Sequence, residues 1–258
     1  MNLSLARMVA VSAGLHVKMA SRSTFEIASG LIVPLVQATM AVYLLRASDH
    51  PQNMVTAAVG AGLMGIWSQV LFGSGGAIQR QRWTGTLEML VIAPRPAALT
   101  IVPITVATGI RGGYTMVATL GWGWAVYGVQ PSFAHPLLFM VSVAACITGL
   151  GMFGLLLAST FVLTRNANAI CNTLEYPIWL LSGMLVPITV LPGWTAPVAN
   201  VLPTTWGARA VHEAAVGGAV WPAVGLCLLI SAVYFTLGAL SMSYVERRAR
   251  ITATLALA

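Results

Sequence analysis

PLLFMVSVAACITGLGMFGLLLASTFVL, residues 136–163, contains no Asp, Glu, Lys, Arg or His. A helix rises 1.5 Å per residue, so roughly 20 apolar residues cross the ~30 Å hydrocarbon core of a bilayer. This stretch is long enough to cross with tilt. Reading outward from it, five more runs have the same character. The expected spans are 27–45, 54–72, 100–129, 136–163, 168–188 and 220–245, the third interrupted by Arg111 and the fifth by Glu175. The whole chain is 58% hydrophobic and only 7% charged, whereas a soluble domain carries about 25% charged residues. About half of any folded surface faces its solvent, so that solvent must largely be lipid. The expected fold class is an all-α membrane protein with six transmembrane helices, and residues 1–258 form a single transmembrane domain.

The charge pattern orients it. An even number of spans puts both termini on one side. With those termini in the cytoplasm, the cytoplasmic set is Arg7, Lys18, Arg22, Arg80, Arg82, Arg95, Arg165, Arg247, Arg248 and Arg250, and the external set is Arg46 and Arg209. That asymmetry follows the positive-inside rule. The net charge of +7 therefore reports membrane orientation and not nucleic-acid binding, since the cations form no stripe. Cys146, Cys171 and Cys227 all lie in apolar runs, which argues against a disulfide scaffold. No catalytic constellation is found: His212-Glu213 has no second histidine at zincin spacing, and no Gly-x-Ser-x-Gly elbow occurs. His16, His50, His135 and His212 are scattered, so no metal site and no enzyme activity are expected.

Residues 1–23 mix Arg7, Lys18 and Arg22 with Leu3, Leu5, Met8, Val9, Leu15 and Met19. A signal peptide is disfavoured because cations follow the short apolar core and no clear cleavage site does. An amphipathic helix on the cytoplasmic face of the membrane fits better. Gly73-Ser-Gly-Gly76 has no lysine behind it, as a P-loop requires. It reads as a flexible link. The glycines from Gly109 to Gly123 and from Gly149 to Gly154 suit close helix packing. Segment 189–218, with Pro192, Trp194, Pro197, Pro203 and Trp206, suits short external helices at the interface, re-entrant where protein shields their backbone.

Between spans two and three runs Gln79-Arg-Gln-Arg-Trp-Thr-Gly-Thr-Leu-Glu-Met-Leu-Val-Ile-Ala-Pro-Arg-Pro96. Thr84 or Gly85 can cap a short helix, Glu88 complements its first turn, Leu87, Leu90 and Val91 recur at helical spacing, and Pro94 and Pro96 stop it. An apolar ridge on a cytosolic segment wants a partner. The order Arg82, Gly85, Thr86, Leu87, Glu88, Leu90, Pro94 resembles the hallmark of ABC-2 type permeases. Ser182-Gly183, Pro187, Pro192-Gly-Trp194 and Pro203 resemble the end of that family's fifth helix and its external loop. The resemblance runs in register from about residue 70 to the C-terminus. One departure is Gln81-Arg82-Trp83-Thr84, where the family often has a second acid.

The resemblance implies that residues 82–94 form a coupling helix docked on a soluble ABC ATPase subunit, which binds ATP and Mg in place of this chain. It implies a second permease subunit, identical or not, and a place in the bacterial inner membrane. It also implies outward transport of a drug, antibiotic, lipid or glycan. Met40, Tyr43, Met64, Trp67, Trp179 and Met184 would suit an apolar cargo. Arg111 is an intramembrane charge and needs a partner or a wet cavity. Glu175 is the expected partner. A rival reading makes Arg111 and Glu175 a relay in an ion-driven transporter or channel, which leaves the capped cytoplasmic helix without a purpose. A non-transporting membrane scaffold would explain the spans but not the Pro/Trp-rich external segment.

Overall fold

The computed structural model describes residues 3–46, 54–76, 85, 98–130, 133–161 and 167–252. In chain order the α-helices are α1 (Leu3–Ala20), α2 (Thr24–Arg46), α3 (Met54–Val70), α4 (Ala98–Tyr127), α5 (Pro136–Phe161), α6 (Ala167–Leu181), α7 (Thr195–Val201), α8 (Pro203–Val216) and α9 (Val220–Thr252). No strand occurs among the described residues.

Among the described residues, four helical stretches are long and apolar enough to cross a membrane: Glu26–Leu44, Met54–Ser74, Pro136–Phe161 and Val220–Val245. They fall on the first, second, fourth and sixth expected spans. The third falls on α4, whose 30 residues reach about 45 Å. The fifth falls on α6, which has 15 residues and reaches only about 22 Å. Continuous helix was expected to residue 188, but α6 stops at Leu181. Gly183 then turns the chain with φ of +70°, a conformation open to glycine at no steric cost.

The centre of the molecule is α3, with 12 of its 17 residues buried. It packs against α2 on one side and α4 on the other, and α5 packs against α8 and α9. Close approach depends on small residues. A Cβ added at Gly112 would lie 2.9 Å from Ile66 Cγ2, and one at Gly154 would lie 2.7 Å from Val70 Cγ1. An aromatic column ties the layers: Trp67 stacks on Phe153 at 5.5 Å, and Phe153 meets the edge of Tyr234 at 5.5 Å. Such pairs stabilise beyond their buried area.

Gly73-Ser-Gly-Gly76 is not the flexible link expected from its composition. Residues Leu71–Gly75 form a π-helical turn that continues α3. Gly73 lies so close to Thr108 that any side chain would overlap it. Ser74 is fully buried, its hydroxyl 3.4 Å from Thr108 Oγ1. The widened turn changes the carbonyl pattern, and the Cys171 thiol donates to the Leu71 carbonyl at 3.7 Å. Glycine here serves packing against α4.

The segment after α6 folds inward. Met184 is fully buried, and its carbonyl oxygen presses on Gly60 of α3. The 3₁₀ turn Ile188–Val190 and α7 follow at the surface. Helix α8 returns to the core: Ala208, Ala210, Val211 and Ala214 are fully buried, and Gly207 rests on Cys146 of α5. The sequence suggested short external helices, re-entrant where protein shields their backbone, and α8 is a short helix packed into the core.

At Gly60 the obstacle is backbone, which cannot swing aside, so overpacking should cost about 1–3 kcal/mol. Gly60→Ala should therefore lower the thermal unfolding midpoint in detergent. Gly14→Ala, where a Cβ meets nothing within 4 Å, should leave the midpoint unchanged or raise it.

Candidate functional site: a groove between three helices

Ser23-Thr-Phe-Glu26 opens α2. Ser23 Oγ accepts a hydrogen bond from the Glu26 backbone N–H at 3.4 Å, so Ser23 caps the helix and Glu26 sits in its first turn. From there the Glu26 side chain reaches α4, where Arg111 Nη1 donates to Glu26 Oε2 at 3.0 Å. The expected pairing of Arg111 with Glu175 is therefore corrected: the ion-pair partner is Glu26. The contact sets Arg111 level with the start of α2. The reason is register: the packing of α4 against α2 sets Arg111 beside the first turn of α2.

Glu175 lies on α6 and faces α3. Its carboxylate accepts from Ser68 Oγ at 2.5 Å, and its backbone carbonyl accepts from Trp67 Nε1 at 3.2 Å. These two bonds hold α6 on α3 despite Pro177 within the helix, which costs a backbone hydrogen bond.

The three charged residues line one groove of about 850 Å³ between α2, α3 and α6. Its α2 wall is apolar, with Ile32, Val33, Val36, Met40 and Leu44 exposed along one face. Met64, Phe72, Trp179 and Leu185 form much of the rest. A smaller cavity of about 390 Å³ lies on the other side of the Glu26–Arg111 pair, between α1, α2 and α4. The pair thus stands between two spaces. Of the six apolar-cargo candidates, Met40, Met64 and Trp179 line the groove. Trp67 and Met184 are fully buried in the core, and Tyr43 packs edge-on against Tyr127 at 5.9 Å.

The external motif divides likewise. The Ser182 hydroxyl is buried and bonded to that of Thr204, which joins the end of α6 to the start of α8. Pro203 is the buried first residue of α8, where proline's missing N–H does no harm. Pro187 leads into the 3₁₀ turn, and the Pro192 carbonyl accepts from Thr195 N–H at 2.9 Å. Trp194 is 71% exposed. His212 of α8 lies 3.0 Å from the Met184 carbonyl through Nε2. Burial pushes its imidazole below the ordinary value, so the neutral ring donates this bond. Of the coupling residues, Arg82, Thr86, Leu87, Glu88, Leu90 and Pro94 lie outside the described residues. Gly85 is described, in a turn with φ of +67°.

Sequence reasoning did not single out Glu26, although Ser-x-x-Glu at the head of an apolar run is a capping signature. Both members of its ion pair retain about a quarter of their side-chain exposure, 25% for Arg111 and 22% for Glu26. Breaking a fully buried pair costs about 3–5 kcal/mol, so Glu26→Gln or Arg111→Gln alone should cost about 1–3 kcal/mol. The exchange Glu26→Arg with Arg111→Glu should recover more than half of that loss in detergent unfolding. Additive losses in the exchanged variant would contradict the pairing.

The family model for the ABC-2 type transporter matches residues 11–216. No curated protein matches the chain. The match covers α2 through α8 and with them the groove, so this multi-pass membrane chain belongs to the ABC-2 type transporter family and is a permease component of an ABC transporter.

Proposed function

We propose that the chain is the permease subunit of an ATP-driven exporter that moves a hydrophobic or amphipathic molecule outward through the groove between α2, α3 and α6. The observation that carries this reading is the groove itself. It combines an apolar wall with Glu26, Arg111 and Glu175, which suits a molecule with both an apolar body and a polar end. Six crossings are proposed. Helix α4 supplies one, and α6 with the inward-folded segment after it supplies another, whose irregular backbone is shielded by α3 and α8 as lipid requires.

With both termini in the cytoplasm of a bacterial cell, the start of α2 and of α6 lie toward the cytoplasmic side of the inner membrane. The groove is then loaded from the cytoplasm or the inner leaflet. Residues 82–94 act as the coupling helix. A separate ATPase subunit binds ATP and Mg, closes, and pushes on Glu88 and its apolar neighbours. The push passes through the π turn at Leu71–Gly75 into α3, because that turn directly follows α3 and packs against α4, α5 and α6. Alternating access follows when α2 and α6 shift about α3. The exposed apolar face of α2 suits a second permease subunit, identical or different, that closes the groove.

The ion-relay reading is not favoured. Arg111 is engaged by Glu26 and Glu175 by Ser68, so the two proposed relay members have separate partners.

The chain should co-purify with a soluble P-loop ATPase. Glu88→Lys should lower transport-coupled ATP hydrolysis by about tenfold or more, since it reverses a charge at the proposed contact. Glu88→Gln should have a smaller effect. Retention of full coupled activity in Glu88→Lys, or flux driven by an ion gradient without ATP, would overturn the assignment.

A further inference from the structure

The polar groups of the groove are unevenly matched. Among the described residues, two carboxylates, Glu26 and Glu175, face it with one guanidinium, Arg111, and that guanidinium is held by Glu26. Glu175 has a hydroxyl partner in Ser68 and, among the described residues, no cation within ion-pair distance. Two further polar atoms on the groove lining are buried with no hydrogen-bond partner: Gln37 Oε1, an acceptor, and Trp179 Nε1, a donor. An unmatched buried polar atom is costly and asks for an explanation, of which a bound ligand is one. Next to Glu175, Tyr176 is 63% exposed and lines the same groove, with its ring edge-to-face against Trp179 at 6.0 Å. Aromatic rings attract cations as carboxylates do.

We infer that the groove selects a lipophilic amine in its protonated form. The ammonium donates to Glu175 and Gln37 and lies against Tyr176, while the apolar body runs along Val36 and Met40 of α2. Donors suit this site at Gln37 Oε1 and at Glu175, whose partner Ser68 is a neutral hydroxyl, and Trp179 Nε1 is the one unmatched donor on the lining among the described residues. An anionic cargo meets two carboxylates and finds the guanidinium already occupied. This inference rests on the groove being the cargo site, and it specifies the cargo's charge.

The test uses the full chain in nanodiscs and three dansyl-tagged alkyl probes of equal chain length ending in a primary amine, an alcohol or a carboxylate. Binding is measured against empty nanodiscs to remove partition into lipid. The amine should bind about tenfold or more tighter than the alcohol, the scale of a hydrogen bond to a charged group, and the carboxylate should bind weakest. Glu175→Gln should collapse the amine-to-alcohol ratio toward one, and Glu175→Asp should keep most of it. Gln37→Leu, which leaves the carboxylates alone, should reduce the ratio by a smaller factor while sparing alcohol binding. If the carboxylate binds as well as the amine, or if the ratio is unchanged in both Glu175→Gln and Gln37→Leu, the inference fails. The assay needs no ATPase, so its failure leaves ATP-driven export standing, and loss of ATP coupling leaves the amine preference standing.

Discussion

Helix α3 is buried on nearly every side in an apolar chain, and the rest of the architecture depends on how it achieves that. Lipid tails are as apolar as leucine, so burial alone does not hold membrane helices together. Close backbone approach and interhelical polar contacts do. Gly60 and Gly112 of neighbouring helices remove the side chains that would hold Met184 and Ile66 away. Trp67 then adds the long-range bond to the Glu175 carbonyl and the stack on Phe153. Four neighbours are thereby fixed relative to one rod.

That rod also organises the polar chemistry. Ser68, one residue beyond Trp67, holds the Glu175 carboxylate, and Gln69 lines both the groove and the smaller cavity beside the Glu26–Arg111 pair. A turn further on, the π geometry at Leu71–Gly75 ends the helix with Cys171 on its carbonyl and Ser74 buried against Thr108. Groove, ion pair and the end of α3 thus lie within a few residues of one another.

Most of the helical layout was legible because lipid forces it: a charge-free run such as 136–163 has few other uses. Where the sequence misled, local composition competed with packing. Gly73-Ser-Gly-Gly76 has the composition of a linker, yet Gly73 makes room for Thr108. Segment 189–218 reads as short external or re-entrant helices because Pro and Trp are common there, and its composition did not show that the alanine-rich α8 packs on α5. Arg111 demanded a partner, and charge alone could not choose between Glu175 and Glu26. The choice rests on the packing of α4 against α2 and on the capping of α2 by Ser23, which depend on three-dimensional register. The fifth span was drawn too long because nothing in Leu181–Pro187 announces a turn except Gly183.

The central claim is that the groove between α2, α3 and α6 opens to opposite sides of the membrane under the control of ATP. Its most direct test is the accessibility of Met40→Cys, 60% exposed on the α2 wall, in a background with Cys146, Cys171 and Cys227 replaced by alanine. In the reconstituted complex with its ATPase, a membrane-impermeant thiol reagent should label this cysteine from the cytoplasmic side without nucleotide and from the external side with bound, unhydrolysed ATP. Labelling from the same side at the same rate in both states would contradict the account.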